Sequence, residues 1–120
     1  MKVQDLTGVQ LDWAVAKAEG DLSPQGDVMV LEGRLFSIEP GGHETPDIWR
    51  KYNPTDSWHL AGPIIEREGI TLCCGLHGWD AELEEFDAIS HGTTALIAAM
   101  RCYVSAKLGD EINIPEELAP

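Results

Sequence analysis

The chain has 120 residues, enough for one domain and one modest hydrophobic core without disulfide or metal staples. Its 43% hydrophobic and 24% charged content is ordinary for a globular protein, and no apolar run approaches the roughly 20 residues needed to cross a bilayer. Eight Lys and Arg against 21 Asp and Glu give a formal charge of −13, a field that repels phosphate backbones and argues against non-specific binding of DNA or RNA.

The opening MKVQDLTGVQLDW carries one lysine and no continuous apolar stretch, so it does not read as a signal peptide. Cys73, Cys74 and Cys102 then read as reduced thiols in a cytosol. Thr7 followed by Gln10 has the form of a capping box, and Gly20 is a natural stop. Val9, Trp13 and Ala16 recur at helical spacing between them, which predicts an amphipathic helix over Thr7–Glu19 with Leu6 as a staple residue. Asp21–Asp27 is polar and reads as a loop. Val28–Glu32 and Arg34–Ile38 are short β-prone runs around Gly33, either a tight hairpin or one bent strand. Glu39–Asp47, EPGGHETPD, has the composition of a surface loop.

The stretch YNPTDSWHLAGPIIEREGITL, Tyr52–Leu72, combines aromatics, a histidine and two proline-containing breaks around a short apolar run. Asn53-Pro54 should start a turn, with Thr55 or Asp56 capping a short helical turn that carries Trp58. Gly62-Pro63 should break that turn, with Pro63 at the first position of the helix that follows. Ile70–Cys74 and Trp79–Leu83 read as strands joined by a Gly75–Gly78 turn, and the acidic run Glu82, Glu84, Glu85, Asp87 as a solvated edge. Thr94–Leu108, stopped by Gly109, is the strongest predicted helix, with Thr93 as N-cap and Leu96, Met100, Tyr103, Val104 and Leu108 on its apolar face. The tail, residues 110–120, should lie along the body at Ile112 and Ile114 and fray beyond. The predicted class is α+β: one domain over 1–120, a small antiparallel sheet packed by an N-terminal and a C-terminal helix.

The segments LTGVQLDWAVAKAEG, YNPTDSWHLAGPIIEREGI and LIAAMRCYVSAKLGDEINIPEEL together resemble the NinX-like family, small proteins of tailed bacteriophages and prophages. The likeness spans nearly the whole chain except about residues 21–49, a variable region. Thr93 and Ala95 stand where relatives tend to carry prolines before the final helix. The resemblance implies a phage origin, an accessory role and action in the cytoplasm of the infected bacterial host. It brings no catalytic residues with it.

Motifs for chemistry are sparse. Cys74-x-x-His77 has a zinc-like spacing, but no second pair of that kind accompanies it, and no metal or cofactor is expected. No nucleophile elbow, Walker loop or Rossmann turn appears, so the reading leans away from an enzyme. The aromatic block suits ligand binding better. Tyr52, Trp58 and Trp79 offer flat walls for a nucleobase-like ring, Arg67 a partner for an anionic group, Asp56 and His59 hydrogen bonds, and Pro63 a rigid wall. The expected partner is thus a small nucleotide-like host signalling ligand. Two alternatives stand beside it, an acidic module acting on a host or phage protein and an enzyme of unknown type. Self-association through the Leu96–Leu108 face is left open.

Overall fold

The computed structural model describes residues 1–119, and Pro120, the end of the expected tail, lies outside the described residues. In chain order the elements are α1 (Gly8–Glu19), β1 (Val28–Leu31), β2 (Arg34–Glu39), β3 (Ile48–Lys51), α2 (Trp58–Glu68), β4 (Thr71–Gly75), β5 (Gly78–Leu83), β6 (Ala88–Gly92) and α3 (Ala95–Leu108). The fold is α+β. The strands form two antiparallel sheets of three strands each, β1-β2-β3 and β4-β5-β6, because β3 and β6 each add a strand to a hairpin.

Glu32 and Gly33 settle the first hairpin. Both have positive φ (53° and 73°), the turn geometry that matches the twist of paired strands, so β1 and β2 fold back on each other. The acidic run after β5 becomes a single 3-10 turn, Glu84–Phe86, linking β5 to β6 with its carboxylates in solvent.

Helix α3 is the centre of the molecule. Ala98, Ala99, Met100, Cys102 and Val104 are fully buried, and the alanines let β6 come close. A Cβ on Gly92 would lie 2.5 Å from the Ala98 backbone nitrogen, so only glycine fits there. Its N-cap is Thr94, whose hydroxyl accepts the Ile97 N–H at 3.2 Å, not Thr93 as the sequence suggested. The Cys102 thiol faces the Ala88 carbonyl, and burial pushes its pKa up to about 11, which makes it an inert packing group.

Three further expectations are corrected. Helix α2 runs unbroken through Gly62-Pro63 and is capped by Ser57, not Thr55 or Asp56, with the Leu60 N–H donating to the Ser57 hydroxyl at 3.4 Å. Pro63 is tolerated because the amide it lacks would have bonded the carbonyl of His59, and both residues are exposed, leaving that carbonyl to water. The Thr7–Gln10 capping box does not form. Gln10 instead donates its side-chain amide to the Leu118 carbonyl at 3.1 Å. The tail therefore does not fray beyond Ile114: Ile112 and Leu118 are both buried.

Two hydrophobic cores share α1. The larger joins Leu6, Leu11 and Val15 to α3 and β4–β6; the smaller consists of Ala16, Val28, Leu35 and Tyr52, with Val9, Trp13 and Leu60 against it. Trp13 touches both cores and is only half-buried, with the Lys17 ammonium 5.4 Å over its ring.

Candidate functional site

A cleft of about 750 Å³ opens where the two cores meet. Four elements build it. Helix α1 contributes Gly8, Val9 and Asp12, neighbours on one helical face by their spacing. The β1–β2 turn and β2 contribute Gly33 through Phe36. The end of β3 and the turn after it supply Lys51, Tyr52, Asn53, Thr55 and Asp56, and the start of α3 supplies Thr94 and Ile97. The volume falls in the range that holds a drug-sized or nucleotide-sized molecule.

The lining changes character with depth. Leu35, Tyr52 and Asp12 are the buried part, at 3%, 8% and 5% exposure, whereas Arg34, Lys51, Asp56 and Thr94 are exposed at the mouth. Phe36 pairs with Lys51 across β2 and β3, and Arg34 lies two residues before Phe36, so the three share the outer sheet face, opposite to Leu35 and Tyr52, and border the cleft from the sheet edge. Thr7 gives α1 no side-chain cap, so first-turn amides at Gly8 and Val9 keep donor capacity beside the cleft.

Asp12 is the unusual group. The Thr55 N–H donates to its Oδ1 at 2.9 Å, which fastens the turn after β3 to α1. Burial nevertheless pushes its pKa up to about 6, against the opposing effects of the Thr55 hydrogen bonds and the Lys51 charge. Tyr52 is held neutral above the usual phenol range, first by burial and then by the negative charges of Asp21, Glu19 and Asp12.

Most cations elsewhere are engaged. Arg67 holds Glu19 at 2.6 Å and Glu68 at 2.7 Å and lies 5.8 Å over the Tyr103 ring; Lys107 holds Glu68 at 3.0 Å. Arg101 donates to the carbonyls of Leu6 and His91, and Arg50 faces Glu39 at 3.5 Å. Arg34 and Lys51, by contrast, enter no ion pair among the described residues.

Of the side chains singled out from the sequence, Tyr52 and Asp56 line the cleft. The others lie elsewhere. Trp58 and His59 open α2 and are exposed, Trp58 at 58%, because both precede the buried Ala61–Ile64 side of that helix. Pro63 is exposed further along α2, and Arg67 is occupied by its carboxylates. Trp79 lies in β5, half-buried against the larger core. The three rings of the aromatic block therefore do not share one wall. Sequence reasoning missed Asp12, Arg34, Phe36 and Lys51. The alternation in Arg34-Leu35-Phe36 signals that Arg34 and Phe36 share a face, and an aspartate amid the apolar stripe of a helix is itself a signal.

The model of a protein family described as Bacteriophage P22, NinX matches residues 2–107, a span that contains every residue lining the cleft. No curated protein matches the chain.

Proposed function

The chain belongs to the bacteriophage P22 NinX family, and from that premise we propose that it is a phage accessory protein that holds a small, anionic, ring-bearing ligand of the nucleotide class in the cleft and so withholds it from the host. One observation carries this reading: in a chain of formal charge −13 with eight Lys and Arg, two of the five that enter no ion pair among the described residues, Arg34 and Lys51, border the same cleft. A local positive mouth on an acidic body favours an anion of matching size and repels longer polyanions such as duplex nucleic acid. Tyr52 supplies a ring face, Val9, Leu35 and Ile97 apolar contact, and Asp56 a hydrogen-bond acceptor at the rim. Nothing in the lining resembles an activated nucleophile, so binding is preferred to catalysis.

Calorimetry of the full chain against nucleoside monophosphates, cyclic nucleotides and ADP-ribose derivatives tests the reading. Binding is expected for at least one of them, weakened tenfold or more in the Arg34→Ala, Lys51→Ala double variant and little changed by Trp58→Ala. Absence of binding to folded protein across the panel contradicts it.

A further inference from the structure

The buried carboxylate at the inner end of the cleft narrows the ligand class. An asparagine at position 12 would accept the Thr55 N–H equally well without burying a charge, so bracing the turn does not by itself account for an acid there. A carboxylate has room for about four hydrogen bonds; Thr55 supplies its N–H at 2.9 Å and also its hydroxyl. Lys51 acts on it through space without coming within ion-pair distance. Acceptor capacity is thus left in a place where water is scarce, at the deep end of a cleft whose other deep residues, Leu35 and Tyr52, present apolar and ring surface. A flat heterocycle fits that end better than a sugar, and the exposed Arg34 and Lys51 place the anionic group at the mouth.

We propose that Asp12 selects a guanine base, its two oxygens accepting the adjacent N1–H and N2–H donors of the guanine edge, so that the ligand is a guanine nucleotide with phosphate toward Arg34 and Lys51. The donor pair matches a carboxylate as the arginine fork does. Adenine and cytosine instead set a ring-nitrogen acceptor beside their amino group, which opposes a carboxylate oxygen, and hypoxanthine keeps N1–H but lacks the amino group. The inference rests on the anionic-ligand reading of the same cleft.

Binding is linked to pH. The ionised carboxylate accepts the base, whereas the protonated form carries its own donor and competes with N1–H. The charged groups acting on Asp12 are Lys51 from β3 and Asp56 from the turn after it; α3 brings the uncharged Thr94 and Ile97 to the same cleft. With the group titrating near 6, affinity for guanosine monophosphate should fall about tenfold from pH 7 to pH 5.

Calorimetry on the full chain with guanosine, inosine, adenosine and 2′-deoxyguanosine monophosphates separates the outcomes. Guanosine monophosphate should bind about tenfold or more tighter than inosine monophosphate, the deoxy form should equal it, and adenosine monophosphate should bind weakest. Asp12→Asn should reduce the guanosine-to-inosine ratio to within about twofold, and the pH dependence of that ratio in the wild type, from which titration of the shared phosphate cancels, gives a second readout that needs no variant. Equal binding of all four, still dependent on Arg34 and Lys51, overturns the base assignment and leaves the anionic cleft standing. Loss confined to the deoxy form overturns it in favour of a ribose diol. Binding of none overturns both.

Discussion

The two sheets have the same strand order and are treated very differently by the rest of the chain. In β4–β6 the inner row, Ala81, Leu83, Ala88, Ser90 and Gly92, is buried under α3, and the outer row, Thr71, Cys73, Asp80, Glu82 and His91, is exposed and largely polar. In β1–β3 the inner side rests on one flank of α1 through Val28, Leu35 and Tyr52, while the outer face shows Met29, Leu31 and Trp49 to solvent, with Phe36 edge-on to Trp49 at 5.7 Å. The β4–β6 sheet is a body, and the β1–β3 sheet is a platform thinly attached to it. The cleft lies along the seam between the β1–β3 sheet and the starts of α1 and α3. A site at such a seam can combine rigid walls from α1 and α3 with cations carried on the platform.

Core truncations sharpen that contrast most. Met100→Ala, in the fully buried face of α3, should cost about 2–5 kcal/mol in urea unfolding. Leu35→Ala on the platform should cost about half as much, because its smaller cluster can relax toward solvent. Equal losses would show that the two sheets are packed alike and would break the comparison.

Glycine replacements probe the same difference more finely. Gly92→Ala drives a Cβ into the α3 backbone and should destabilise by about 1–3 kcal/mol. Gly33→Ala meets nothing closer than the Glu117 carbonyl at 3.8 Å, so only its φ of 73° matters, at about 1 kcal/mol. A reversed order in thermal melts would mean that the β1–β2 turn, not the β6–α3 contact, is the tighter fit.

The smallest effects concern two carboxylates whose pH slopes oppose each other. Asp12 binds its proton more tightly folded than unfolded, so the stability it contributes is present below the ordinary carboxylate range and lost as pH rises through about 6. Asp12→Asn should therefore stabilise the ligand-free protein by about 1 kcal/mol at pH 7 and give no gain at pH 4. Glu68 is held below the usual carboxylate range by hydrogen bonds from Arg67 and then Lys107. Its contribution is present above that range and lost as pH falls through its lowered value, so Glu68→Gln should flatten the acid side of the stability profile. Stability of both variants measured from pH 3 to pH 8 checks the two slopes; parallel slopes would contradict the assignments.

Much of the frame could be read from the amino acids because it follows local rules. Helices α1 and α3 announce themselves by apolar spacing and by Gly20 and Gly109, and the β4–β5 hairpin by its glycine-flanked turn. Strands β3 and β6 were not legible: Ile48–Lys51 follows a proline-rich loop and is exposed throughout, and Ala88–Gly92 begins in an acidic run. The helix through Pro63 was misread because the local rule for proline takes no account of which carbonyl loses its partner and whether water can replace it. The cleft was harder still. Tyr52 and Asp56, singled out because they sit in an aromatic, turn-rich block, line it, but Asp12 and the Arg34–Lys51 pair come from segments far apart in sequence, brought together by the register of β2 with β3 and the packing of the sheet on α1.

The most direct measurement is amide and indole chemical-shift mapping of the full chain as guanosine monophosphate is titrated at pH 7. The expected perturbations centre on Gly8, Val9, Asp12, Arg34, Lys51 and Thr55, with the Trp58 and Trp79 indoles nearly unmoved. Perturbations gathered on α2 and β5 around those two indoles, with the cleft residues silent, would contradict the assignment of the site.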